Sequence, residues 1–114
     1  MNNYYYSDEF AKMFKKLKKK YPSLPNDIEQ FKTEFESNPE LGVDLGGGFR
    51  KIRLKIGSKN TGKSGGGRII TFEMLANLND KDILLVYLYD KSDMESVAND
   101  FVESVVGNYL KENN

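Results

Sequence analysis

GGGFRKIRLKIGSKNTGKSGGGR, residues 46 to 68, decides how this chain is read. It carries seven of the 17 basic residues and no acidic one, so a polyanion meets it as a single positive segment. Its first half alternates. Ile52, Leu54 and Ile56 point one way and Lys51, Arg53 and Lys55 the other, the period of a half-buried strand with a cationic outer face. Its second half contains a formal match to the phosphate-binding pattern GxxxxGK[ST], from Gly57 through Gly62, Lys63 and Ser64. That pattern holds phosphate where a helix begins, because backbone amides and the helix dipole both favour negative charge. Here Gly65, Gly66 and Gly67 follow, each costing about 1 kcal/mol of helix propensity relative to alanine. Arg68-Ile69-Ile70-Thr71-Phe72 then reads as a further strand, being β-branched and aromatic. The required helix is missing, and too few residues follow Ser64 for the usual parallel sheet. We therefore read a glycine-lysine loop between two strands, and a chance match.

Upstream of this segment, Asn3 to Tyr6 is consistent with a first strand. Ser7 can cap a helix whose first turn holds Asp8 and Glu9 and whose last turn holds lysines, both favourable to the dipole. Phe10, Met13, Phe14, Leu17 and Tyr21 form its apolar stripe, and Pro22 ends it. A second helix fits Leu24 to Ser37, with Leu24, Ile28, Phe31 and Phe35 on one face and Asn38-Pro39 as the stop. Glu40 to Gly48 reads as a loop. Downstream, Arg68 to about Met74 is a strand, a turn falls near Asn79-Asp80, and Ile83 to Tyr89 is apolar throughout, as a strand buried on both faces must be. Ser92 and Glu95 have the spacing of a capping box for a last helix with the stripe Met94, Val97, Ala98, Phe101, Val105 and Tyr109. The expected order is strand, two helices, three strands, helix, in a single domain spanning residues 1–114.

Bulk properties narrow the function. The chain has no cysteine and no histidine, which removes thiol chemistry, Ser-His-Asp hydrolysis and most transition-metal sites; no metal or other cofactor is expected. The polar, acidic start MNNYYYSDEF is not a signal peptide, and the apolar run from Ile83 to Tyr89 is too short to span a membrane. A cytoplasmic location is expected. Net charge is zero, yet the charges are segregated. Six lysines lie between Lys12 and Lys20, while six acids fall between Asp27 and Asp44 and six more from Asp90 onward. Local patches, not the total, set the field that a nucleic acid meets.

KKYPSL (Lys19 to Leu24), NPELG (Asn38 to Gly42), GGGFRKIRLKIGSKNTGKSGGGRIITF (Gly46 to Phe72) and LLVYLYDKSDMESV (Leu84 to Val97) resemble the RelE/ParE superfamily of bacterial toxins, and most closely its HigB-like, RelE-type branch. The resemblance covers nearly the whole chain. It implies an α+β, RelE-like fold: an N-terminal strand and helical hairpin packed on a curved, largely antiparallel sheet, plus a C-terminal helix, with the other sheet face concave and basic. RelE-type members are mRNA interferases that cut messenger RNA in the ribosomal A site and are held inactive by a cognate antitoxin; a helix-turn-helix, HigA-like protein is the expected partner. ParE-type members share the fold and poison DNA gyrase.

Chemistry compatible with this composition exists. RNA can be cut by its own 2′-hydroxyl attacking the neighbouring phosphate, which needs in-line positioning, a proton acceptor, cations on the developing charge and a proton for the leaving 5′-oxygen. By the resemblance, Arg68 matches the arginine on the scissile phosphate, and Lys51, Arg53 and Lys55 match RNA-facing basic residues. Lys91, in the Tyr-Asp-Lys triplet, takes the place of an active-site cation. Tyr89 is placed to stack on a base or assist proton transfer. Lys59 and Lys63, on the loop, suit contacts to an RNA backbone. Where the RelE branch has an arginine and a tyrosine base, this chain has Ser92 and Ala98; Lys55 and Lys91, ahead of Tyr89, are then the candidates for general base. From the residues alone other readings stay open. The basic strand is equally a solvated face, Arg68 a partner for an acid of the C-terminal helix, and Tyr89 an amphipathic core residue. In function, the alternative to a ribosome-dependent endonuclease is a non-catalytic binder, either a ParE-like gyrase inhibitor or an inactive antitoxin-binding homologue.

Overall fold

Residues 1–59, 65–76 and 79–113 are described by the computed structural model. Within them the elements run β1 (Asn2–Tyr6), α1 (Asp8–Lys20), α2 (Leu24–Ser37), β2 (Val43–Gly46), β3 (Phe49–Leu54), a 3-10 turn (Gly57–Lys59), β4 (Gly67–Ala76), β5 (Lys81–Asp90) and α3 (Asn99–Glu112). The fold is α+β. Its five strands make one open, mixed sheet in the order β1-β5-β4-β3-β2. Every neighbouring pair is antiparallel except β1 and β5, which run parallel from Asn2 opposite Lys81 to Tyr6 opposite Leu85. Among the described residues no helix is long and apolar enough to cross a membrane.

Ser7 shows how the sequence builds this arrangement. Its hydroxyl oxygen accepts from the Phe10 amide at 2.9 Å, the cap read from the sequence, and the same hydroxyl donates to the Val86 carbonyl at 2.6 Å. One buried side chain thus starts α1 and pins that start to β5. Phe10 and Leu17 of α1, and Leu24, Ile28, Phe31 and Phe35 of α2, pack against Ile52, Leu54, Ile69, Ile83, Leu85 and Leu88 on one face of the sheet. On the opposite face Val102, Val105 and Val106 of α3 cover Ile70, Leu84, Val86 and Tyr89. A bulge in β5 makes both layers possible. The register steps from Ile70 opposite Tyr87 to Thr71 opposite Leu85, so Val86 and Tyr87 both turn toward the α3 face while Leu85 and Leu88 face the hairpin.

The structure departs from the sequence reading in three places. Residues 43–46, expected within a loop, form the edge strand β2. All four are exposed, so no buried face left an alternation to detect. The last helix begins at Asn99 with Ala98 at its cap and no side-chain capping bond, six residues after the cap expected at Ser92. Ser92 is engaged with Asp90, and Glu95 lines a cleft, so neither is left to form the box. The stripe shifts accordingly: Met94 and Phe101 are exposed, and Val102, Val105 and Val106 are the buried positions. Within residues 57–66, expected as a loop, Gly65 is helical and the described part includes a 3-10 turn at Gly57–Lys59. There the chain is tied down: Asp27, at the start of α2, accepts from the Gly57 amide at 3.1 Å, and Ser23 Oγ accepts from the Ser58 amide at 2.8 Å. The remainder of the GxxxxGK[ST] match, residues 60–64, lies outside the described residues.

Candidate nucleic-acid interface

Strands β3, β4 and β5 put Arg53, Arg68 and Tyr89 in one row, since Arg53 stands opposite Arg68 and Arg68 opposite Tyr89. Like charges on facing positions of an antiparallel pair are destabilising. Facing arginines therefore favour a negative group beside them. Beside the row opens a cleft of about 600 Å³ lined by Lys51, Arg53, Arg68 and Lys91, by Glu95 and Ser96, and by Leu41, Gly42, Val43 and Ile52. Four cations, from two strands and the loop after β5, converge there. Arg68 is only 6% exposed, and one of its terminal nitrogens donates to the Gly67 carbonyl at 2.9 Å. A cation held at the edge of the interior acts on a nearby anion through less solvent than a surface cation does.

Gly42 gives this cleft its wall. Its φ of +82° lies in the left-handed region, and a Cβ there would stand 2.4 Å from the Lys51 carbonyl oxygen and 2.8 Å from an Ile52 side-chain carbon. Only glycine lets the chain before β2 lie so close to β3.

Behind the cleft lies a second charged group of a different kind. Asp90 is 0% exposed. Tyr21 donates to its carboxylate at 2.7 Å, Ser92 donates from its amide at 2.9 Å and from its hydroxyl at 2.7 Å, and the Lys59 ammonium pairs with it. Burial pushes the Asp90 carboxyl up, but the bonds from Lys59, Tyr21 and Ser92 outweigh it and hold the group well below the usual carboxylate range. The Tyr21 hydroxyl is raised by its bond to Asp90 and then by burial. Lys59 also reaches Ser92 Oγ at 2.6 Å and the Gly66 carbonyl at 3.5 Å, and the Lys91 amide donates to that same carbonyl at 3.1 Å. The network thus fixes the chain just before Arg68 and the start of the loop that carries Lys91 and Glu95.

Of the residues expected at the site, Lys51, Arg53, Arg68 and Lys91 are brought together. The others are not. Lys55 follows the end of β3 and borders a separate depression toward α2, beside Asp27, Gln30 and Glu34. Lys59, expected on an RNA backbone, is spent on Asp90 because that buried carboxylate needs a cation. Tyr89 is 1% exposed and packs in the apolar layer beneath α3, so it offers no face for a base to stack on. Its hydroxyl is buried with no hydrogen-bond partner among the described residues. Burial raises it, Arg68 opposes the rise and Glu95 adds to it; the hydroxyl gives up its proton less readily than that of an ordinary tyrosine. Lys63 lies outside the described residues.

Two residues that shape the site were not expected from the sequence, Asp90 and Glu95. The signal for Asp90 is an acid directly after seven apolar residues, where burial demands pairing. Glu95 carried no signal of its own, because its spacing from Ser92 matched a cap. No protein-family model matches this chain, and a search of curated proteins finds no match to it.

Proposed function

We propose that this chain is a ribosome-dependent messenger-RNA endonuclease, the toxin of a toxin–antitoxin pair with a RelE-like, HigB-type fold. The observation that carries the proposal is the convergence of Lys51, Arg53, Arg68 and Lys91 on one cleft. Arginine presents a planar fork of donors that matches phosphate oxygens. Arg68, shielded at the cleft edge, and Arg53, opposite it, grip the scissile phosphate and stabilise the charge that builds on it as the 2′-oxygen attacks. Lys51 and Lys91 hold the flanking backbone. The product is a 2′,3′-cyclic phosphate and a free 5′-hydroxyl. In this reading the partners are the programmed ribosome and a helix-turn-helix antitoxin that covers the basic cleft, and the site of action is the cytoplasm.

The test is single-turnover cleavage of a messenger held in the A site of programmed ribosomes. Arg68→Ala should slow cleavage by on the order of a hundredfold or more, the usual cost of one preorganised contact to transition-state charge, while ribosome affinity changes far less. Equal loss of rate and affinity would assign Arg68 to binding alone. A second reading, a non-catalytic gyrase inhibitor or antitoxin-binding homologue, is favoured by the burial of Tyr89 and the engagement of Lys59. Growth arrest through gyrase by a protein that cuts nothing on the ribosome would establish it.

A further inference from the structure

We infer that Glu95 is the general base of the cleft, an inference that rests on the endonuclease reading and supplies the proton acceptor it lacks. The groups that line the cleft can be sorted by what they offer a substrate proton. Arg53 and Arg68 are always protonated, and a lysine ammonium has three donors and no acceptor. Glu95 is the one carboxylate among the described residues lining the cleft. It stands on the segment between β5 and α3, and its carboxylate oxygen lies 3.9 Å from the Lys91 ammonium.

The fold has no evident need of this side chain. Glu95 is 89% exposed and its pair with Lys91 is partly exposed; such pairs contribute little to stability. For binding a polyanion, a carboxylate in the cleft is unfavourable by simple repulsion. For cutting one it supplies what the cations cannot. Lys91, 3.9 Å away, partly offsets its charge, so an RNA backbone can approach it. The step then balances. The Glu95 carboxylate takes the proton of the 2′-hydroxyl, the 2′-oxygen forms a bond to phosphorus, the bond from phosphorus to the 5′-oxygen breaks, and water protonates that oxygen as it leaves.

The experiment is single-turnover cleavage on programmed ribosomes by the full-length protein. Glu95→Gln should slow cleavage by on the order of a hundredfold or more, the usual contribution of general base catalysis. It should bind programmed ribosomes at least as tightly as wild type and unfold at the same temperature. Glu95→Asp should recover part of the rate, and the acid limb of the wild-type pH–rate profile should be absent in Glu95→Gln. A substrate whose leaving 5′-oxygen is replaced by sulfur needs no proton on departure, so the Glu95→Gln deficit should persist with it. Disappearance of the deficit would make Glu95 the acid and overturn the assignment. Wild-type speed in Glu95→Gln would also overturn it and leave the endonuclease reading intact, whereas absence of cleavage by wild type would remove that reading itself.

Discussion

The cleft and the Asp90 cluster are built from the same residue types within a few residues of each other, yet they behave as opposites. In the cluster the largely buried Lys59 and the fully buried Asp90 neutralise one another. In the cleft Arg53 and Arg68 face each other across two strands, with Lys51 and Lys91 nearby and a single carboxylate among the described lining residues. A cation serves structure where a buried acid claims it, whereas in the cleft the cations outnumber the carboxylates among the described lining residues. Basic residues counted along the sequence cannot separate the two, because Lys59 and Lys51 belong to one acid-free run.

Removing the acid from the cluster is the most severe way to break this contrast. Asp90→Ala leaves the Lys59 ammonium among partners that cannot neutralise it, and loss of one member of a buried pair typically costs about 3–5 kcal/mol. Urea denaturation should show that loss, together with displacement of the segment bearing Lys91 and Glu95. A cost below about 1 kcal/mol, the range of an exposed pair, would mean that the cluster is no more structural than the cleft.

Acid offers a milder probe. Because the folded Asp90 carboxyl sits below its ordinary value, the unfolded chain binds more protons in acid. The stability that Asp90 contributes is therefore present above about pH 4, the ordinary aspartate value, and is lost as pH falls toward the folded value. Wild type should lose at least about 1.4 kcal/mol more than Asp90→Asn between pH 5 and pH 2, one pKa unit of linkage. Parallel pH dependence in the two proteins would contradict this assignment of the proton.

The smallest effect on stability belongs to the cleft. Arg53→Leu relieves the repulsion from Arg68, and it should leave stability unchanged or raise it by a few tenths of a kcal/mol, the lower range for cross-strand pairs. The same change should weaken ribosome binding and flatten its dependence on salt by about one phosphate contact. A large loss of stability would place Arg53 with the structural cations instead.

The layers of the fold were legible in the sequence because burial imposes a period. The boundaries of α2 coincide with the expected ones, and Ile52, Leu54 and Ile56 point inward as alternation requires. β2 was not legible, because an exposed edge strand has no buried face to alternate against. The site was half legible. Period-two counting placed Lys51 and Arg53 on one face, but it could not show that β3 stops at Leu54 and leaves Lys55 to turn toward α2. Nor could it show that α3 seals Tyr89. Pairing between Lys59 and Asp90, 31 residues apart, is a product of tertiary contact, and no local pattern encodes it.

The parallel pairing of β1 with β5 has a consequence for how the protein is made. A chain emerging from the ribosome delivers Tyr4 to Tyr6 first, but their hydrogen-bonding neighbours, Ile83 to Leu85, come about eighty residues later. Until then the helical hairpin has only β3 and β4 to lie on, and Ser7 lacks the Val86 carbonyl to which it donates. Closure of so long a loop is slow and comes late. Lys91 and Glu95 follow directly after β5, so the cleft is completed only as the sheet closes, and a nascent chain stalled before β5 carries Arg68 without the loop that faces it.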